Sequence, residues 1–230
     1  MLRDNIRSFN YTILITVFLL TIISLIVIYS ATSSVEYSYF YRNIYSRQFT
    51  WIIFGLAMMF IVSRINYTVW LEISYNLYYF IIFLLVLLLL VGHSKFGGVR
   101  WFHLGPIAFQ PSEFCKVVMV LTLTKFIVDN KGKIELLKGL LKTFIIIAIP
   151  MTLIIVQPDL GTTMIFIPVL FFMLYIGGVR VKYLFYSFIS LALLSPFFWY
   201  LLREYQKERL LSFINPESDP LGSGYSVIQS

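Results

Sequence analysis

The sequence predicts an all-α, polytopic membrane helix bundle, and three observations carry that prediction. Of 230 residues, 59% are hydrophobic and 13% charged, against roughly 25% charged in soluble domains. Mean hydropathy is +0.84. Uncharged runs recur along the chain, beginning with the 21 residues of Tyr11–Ala31, and about 20 apolar residues suffice to cross a hydrocarbon core of ~30 Å.

Met1–Asn10 is a short polar start with Arg3 and Arg7. The run after it exceeds the ~7–15 residues of a signal-peptide core, and no small-residue cleavage site follows, so it reads as a retained membrane helix. Thr32–Gln48 reads as a polar, aromatic loop carrying Arg42 and Arg47. Phe49–Ser63 is a shorter second span ended by Arg64, and Ile73–Gly92 is a third, very apolar one. His93–Gln110 is a loop rich in glycine and aromatics. Pro111 suits a helix start and opens a fourth span, Ser112–Val128, in spite of Glu113, Lys116 and Lys125. In Asp129–Lys142, four lysines surround Ile134, Leu136, Leu137, Leu140 and Leu141; that pattern predicts an amphipathic helix lying in the interface. Thr143–Val156 is the fifth span, interrupted by Pro150; Leu160–Gly177 is the sixth and Tyr183–Leu202 the seventh. The expectation is therefore about seven transmembrane helices in one integral-membrane domain, residues 1–230, with a large extracellular loop starting at 203–230.

Basic residues set the expected orientation. With the N-terminus in the cytoplasm, ten of the eighteen Lys and Arg fall on the inner side and seven on the outer, Lys116 lying within a span. Gly97–Gln110, Gln157–Thr162 and the loop from Arg203 then share the outer face.

Three polar clusters on that face could carry chemistry. In the first, Gln110 or Ser112 can cap the helix that Pro111 opens. Glu113 and Lys116, three residues apart, can pair on one helix face. A charge within a span costs about 2.5–3.5 kcal/mol on insertion scales and is a functional candidate by default; a structural ion pair tying helices together is the other reading. Arg100 beside Trp101 suits a phosphate clamp, or an interfacial arginine next to an aromatic belt residue. In the second cluster, Gln157–Thr162, Asp159 lies near the positive end of a helix dipole, where it serves either as a cap or as a site residue. The third runs from Asn215 to Tyr225: Pro216 and Pro220 stiffen the backbone around Asp219, and Gly222 and Gly224 let it turn. A carboxylate held so at a membrane surface suits a general base for a lipid-linked substrate; a solvated turn is the bland alternative.

Several classes are excluded or unsupported. Cys115 is the sole cysteine, so no intrachain disulfide or cysteine metal site can form. His93 and His103 are the only histidines, and their separation fits no metal-ligand spacing. There is no Walker loop, nucleophile elbow or dinucleotide fingerprint. No cofactor is evident. A net charge of +7 suits a protein among anionic headgroups or one that handles phosphates, and no nucleic-acid module accompanies it.

The stretches GGVRW (97–101), FQPSEFCK (109–116), QPDLGT (157–162) and NPESDPLGSGYSVIQS (215–230) stand in this order between hydrophobic spans. Together they resemble the SEDS family (shape, elongation, division, sporulation) of bacterial cell-wall polymerases. The resemblance covers the whole chain, and the last stretch is most similar to the elongation branch. It implies a peptidoglycan glycosyltransferase that polymerises lipid II on the outer face of the bacterial cytoplasmic membrane during cell elongation. By the family pattern, Asp219 matches the essential aspartate of the large loop and is the implied general base. Glu113, Lys116 and Asp159 match positions lining the central cavity, and Arg100 matches a diphosphate contact; Gln157 and Gln110 are further candidates. The implied partners are lipid II, undecaprenyl diphosphate, a class B penicillin-binding protein transpeptidase, the elongation machinery and membrane lipid. A divalent cation at the diphosphate is left open. Family sequences continue past the Gln229-Ser230 position into a glycine-rich loop and more helices, so this chain is expected to be a C-terminally truncated part of the family domain. Two other classes stay in view: a lipid-linked precursor transporter, to which the charges at Glu113 and Lys116 and the helix break at Gln157–Asp159 also belong, and a non-catalytic membrane scaffold.

Overall fold

The computed structural model describes residues 11–33, 38–91, 100–104, 107–134, 136–202, 204, 206–207 and 211. Asp219 and its motif lie outside these residues, as do His93, Gly97 and Gly98 and nearly all of the expected loop 203–230.

Among the described residues, long helices occupy the seven expected positions: α1 (Tyr11–Ser33), α2 (Ser38–Ser63), α4 (Ser74–Val91), α5 (Pro111–Asp129), α6 (Leu137–Val156), α7 (Leu160–Ile176) and α8 (Val181–Leu201), with a short α3 (Tyr67–Glu72). The fold is an all-α polytopic membrane bundle with one small addition. The glycine-rich loop contains an antiparallel hairpin, β1 (Phe102–Leu104) and β2 (Ile107–Phe109), in which Phe102 pairs with Phe109 and His103 with Ala108. By length and apolar content, α1, Ser46–Ser63 of α2, α4 and α6 can each cross a membrane. α7 is equally apolar but has 17 residues, and the apolar part of α8 is Val181–Phe197. α5 falls short because it carries Glu113, Lys116, Lys125 and Asp129.

Two expectations need correcting. Thr32–Gln48 is not a loop throughout, because α2 starts at Ser38. Hydropathy measures transfer into lipid, and a polar helical turn scores as a loop on that scale. Nor does Asp129–Lys142 form a separate interfacial helix. Residues 130–134 are turn, and the chain enters α6 at Leu137 and runs unbroken to Val156. The physical reason is that Leu140, Thr143 and Ile147 continue a single buried stripe at helical spacing, so Lys138 and Lys142 are the exposed side of the first turns of a long helix.

The chain divides into two compact units, residues 1–69 and 70–230. In the first, α1 and α2 pack on each other and keep large apolar side chains such as Ile13, Phe18 and Phe54 exposed, the surface expected toward lipid. Hydroxyls in α1 fold back on their own helix, Thr16 Oγ1 donating to Thr12 O at 2.8 Å and Thr21 Oγ1 to Phe18 O at 2.8 Å. A span with no water around it must satisfy its polar groups internally.

The second unit holds the core. Buried positions recur every three or four residues: Tyr78, Ile81, Leu85 and Leu88 on α4; Cys115, Met119, Thr122 and Phe126 on α5; Phe166, Leu170 and Leu174 on α7. These are the stripes that two packed helices share. α5 packs against α4, α6 and α7, whereas α8 packs against α7. α7 closes on a Schellman motif. Gly178, at φ +85°, donates to Tyr175 O at 3.1 Å, and Val179 N donates to Leu174 O at 3.1 Å. Glycine takes this left-handed position without the steric cost that a Cβ would bring.

Pro150 sits inside α6 without ending it. Proline lacks an N–H, so the carbonyl four residues earlier loses its helical donor. That carbonyl belongs to Ile146, and the Tyr78 hydroxyl on α4 donates to it at 2.9 Å. α8 solves a similar problem locally: Pro196 deprives Ala192, whose carbonyl accepts from Ser195 Oγ at 2.7 Å. Tyr78→Phe is expected to lower stability by about 1 kcal/mol, the scale of an interhelical hydrogen bond in a membrane protein. Thermal unfolding in detergent measures it; a melting temperature equal to wild type would show that the orphaned carbonyl finds another donor.

A buried polar knot at one end of the bundle

The break between α6 and α7 builds the candidate site. α6 stops at Val156 with Gln157 in the C-cap position, and α7 starts at Leu160 with Asp159 as its N-cap. Pro158 thus lies between the two helices. Asp159 Oδ1 accepts from Thr162 N at 3.3 Å, and Thr163 Oγ1 donates to the Asp159 carbonyl at 2.8 Å. This is the usual task of an aspartate cap, which satisfies amides that have no helical partner.

The carboxylate does more than cap. Oδ2 accepts from Thr162 Oγ1 at 2.9 Å, from Gln110 Nε2 at 3.1 Å and from Ser112 Oγ at a long 3.5 Å. Gln110 is the N-cap residue of α5, but its side chain makes no cap bond there and turns to Asp159. Glu113 N instead takes the Gln110 carbonyl at 3.2 Å. The starts of α5 and α7 therefore meet at one anionic group, which both helix dipoles favour. The carboxylate is nearly buried, with Asp159 9% exposed, and a buried charge is tolerated when it is hydrogen-bonded on this scale.

Two more side chains close the knot. Gln157, 2% exposed, donates from Nε2 to Leu85 O on α4 at 2.9 Å. Arg100, half-buried at the foot of the hairpin, donates from Nη2 to Pro158 O. The hairpin itself is seated on α5 through Phe109, whose ring lies 4.9 Å from that of Phe114. Trp101 stays exposed next to Arg100, as a belt aromatic would. Of five guanidinium N–H donors, the Pro158 bond uses one.

One turn along α5, Lys116 Nζ lies 2.9–3.0 Å from the Glu113 carboxylate oxygens. Glu113 is about half exposed, so this pair is accessible where Asp159 is not. Chemically the region offers an enclosed anion that fixes backbone, an accessible ion pair, and a guanidinium with hydrogen-bonding capacity left. Arg100, Gln110, Gln157 and Asp159, spread over 60 positions of sequence, come together; Glu113 and Lys116 share their helix end; Asp219 lies outside the described residues. The sequence reading did not single out Thr162, Thr163 or the carbonyls of Leu85 and Pro158. Thr162 was detectable in principle, since it stands three positions after an aspartate cap, where a helix amide needs an acceptor.

The chain as a whole is similar to known proteins. Residues 10–230 match the cell cycle protein family of FtsW, RodA and SpoVE. The chain is 34% identical to stage V sporulation protein E of Bacillus subtilis (strain 168) over 227 residues, which cover 95% of this chain and 60% of that protein. It is 32% identical to the peptidoglycan glycosyltransferase MrdB of Escherichia coli (strain K12) over 220 residues, 95% of this chain and 58% of that one. A chain from a solved structure on the structural coordination of polymerization and crosslinking by a peptidoglycan synthase complex superposes with a TM-score of 0.79 at 29% identity, covering 96% of this chain and 64% of that one. The chain thus spans about 60% of the length of the curated relatives it matches. Since the family match runs over nearly every residue, this chain belongs to the FtsW/RodA/SpoVE family of cell cycle proteins.

Proposed function

We propose that this chain is part of a peptidoglycan glycosyltransferase that polymerises lipid II on the outer face of the bacterial cytoplasmic membrane. The observation that carries this reading is the convergence of separate motifs. Arg100, Gln110, Gln157 and Asp159 meet at one bundle end, on whose helix α5 the accessible Glu113–Lys116 pair also stands. Similarity to a protein named peptidoglycan glycosyltransferase supports it.

In the proposed reaction, the acceptor sugar hydroxyl attacks the anomeric carbon of the growing strand and gives its proton to the Asp219 carboxylate. The bond from that carbon to the diphosphate breaks with inversion, and undecaprenyl diphosphate leaves. A diphosphate is already a good leaving group, so cationic stabilisation can replace a protonating acid. Arg100 and Lys116 are the proposed cations. Asp159 is engaged on both oxygens and Glu113 is paired with Lys116. Among the described residues at this bundle end, neither of these carboxylates stands free for a divalent cation at the diphosphate.

The N-terminus is proposed to be cytoplasmic, which puts the knot outside. A class B penicillin-binding protein is the proposed partner, a pairing favoured by the synthase-complex neighbour. The elongation role rests on the wording of 215–230, because overall identity to a sporulation protein and to MrdB differs by only 34% against 32%. A transporter reading draws on the α6–α7 break and the intramembrane pair. Purified whole protein with its transpeptidase and labelled lipid II is expected to yield glycan strands on a gel. Lipid II moved across a vesicle bilayer and recovered unpolymerised would favour the transporter and sink the polymerase reading.

A further inference from the structure

The end of the second unit opposite the knot carries a different chemistry. The turn after α5 and the first turns of α6 expose Lys131, Lys133, Lys138 and Lys142; the turn between α7 and α8 exposes Arg180 and Lys182. Two close contacts make these stretches one face. A Cβ at Gly139 would meet Lys133 O at 2.5 Å and Ile134 Cα at 2.9 Å, so the turn folds back onto the start of α6. A Cβ at Gly177 would meet Ile127 Cγ2 at 2.6 Å, so the α7–α8 turn lies against the end of α5. The only carboxylates in these stretches are Asp129, paired with Lys125 at 3.1 Å, and Glu135, which lies outside the described residues.

Apolar side chains stand among these cations. Leu137 is 72% exposed and Leu141 51%, one helical turn apart on α6, and Ile176 at the end of α7 is 78% exposed. Lysines next in sequence to exposed leucines match the boundary between headgroups and acyl chains, where the charge stays in the polar layer and the stem and its neighbours lie in hydrocarbon. The cations fall in two groups, or lobes, one at the α5–α6 turn and one at the α7–α8 turn, and the Ile127–Gly177 contact joins the two turns. A headgroup with two separated phosphates can engage both lobes at once, and one with a single phosphate engages one. We propose that this face binds an anionic phospholipid with a doubly charged headgroup, of the cardiolipin class. The proposal does not depend on the polymerase reading.

The test is native mass spectrometry of the purified chain in detergent, titrated with cardiolipin, phosphatidylglycerol or phosphatidylcholine. Cardiolipin is expected to bind more tightly than phosphatidylglycerol, and phosphatidylcholine least. A Lys133→Gln, Lys182→Gln double variant, with one change in each lobe at exposed sites, is expected to weaken cardiolipin about 30-fold. An Arg64→Gln control, on the first unit, is expected to bind as wild type. Equal affinity for cardiolipin and phosphatidylglycerol, an unaffected double variant, or a loss that follows Arg64 would each overturn the proposal.

Discussion

Asp159→Ala is expected to destabilise the protein by about 3–5 kcal/mol, the cost of removing one partner from a buried, charge-assisted network. The alanine removes the N-cap of α7 and the acceptor for Gln110, Ser112 and Thr162 together, and it leaves their donors buried. Asp159→Asn separates the contributions. It keeps an oxygen for the Thr162 amide but turns an NH2 group toward other donors and removes the charge facing two helix starts. It is expected to fall between wild type and alanine. Thermal unfolding of all three proteins in detergent gives the order. If Asn melts with wild type, the charge contributes nothing and Asp159 acts only through its shape. If alanine also melts with wild type, the knot does not hold the helices.

Asp219→Ala in the whole protein is expected to lower lipid II polymerisation by about 10²–10⁴-fold, the range supplied by a positioned general base. Transpeptidase association and the melting temperature are expected to stay at wild-type values, as for a residue whose part is chemical. Strand formation measured with labelled lipid II, alongside a pull-down of the partner, reads both effects. Undiminished polymerisation would remove Asp219 from the role of base. Together the two variants distinguish kinds of acid: one expected to lose the scaffold, the other the chemistry.

Most helices were legible because their signal is local. Twenty apolar residues in a row state their own need for lipid, and Pro111 and Asp159 mark helix starts by what they do to neighbouring amides. The lower limit of α2 and the entry to α6 were missed for one reason: in both, polar residues continue a helix whose driving force lies further along. In the knot, the residue types were readable and their pairings were not. Gln110 had a local task available as a cap and took a distant one at Asp159, 49 positions away. Nothing within a window of sequence decides between those two bonds; the packing of α5 against α7 does.

Pro150 and Tyr78 have a consequence for how this chain can vary. The carbonyl that a proline strips of its donor is always the fourth before it, so the docking point on α6 travels with the proline and not with the start of the helix. An insertion in the lysine-rich turn would lengthen the approach to α6 and leave Ile146 opposite Tyr78. An insertion between Pro150 and Gln157 would swing Gln157 about 100° around the helix axis and away from Leu85. Relatives are therefore expected to tolerate length differences before the proline and to keep a fixed separation of seven positions from Pro150 to Gln157.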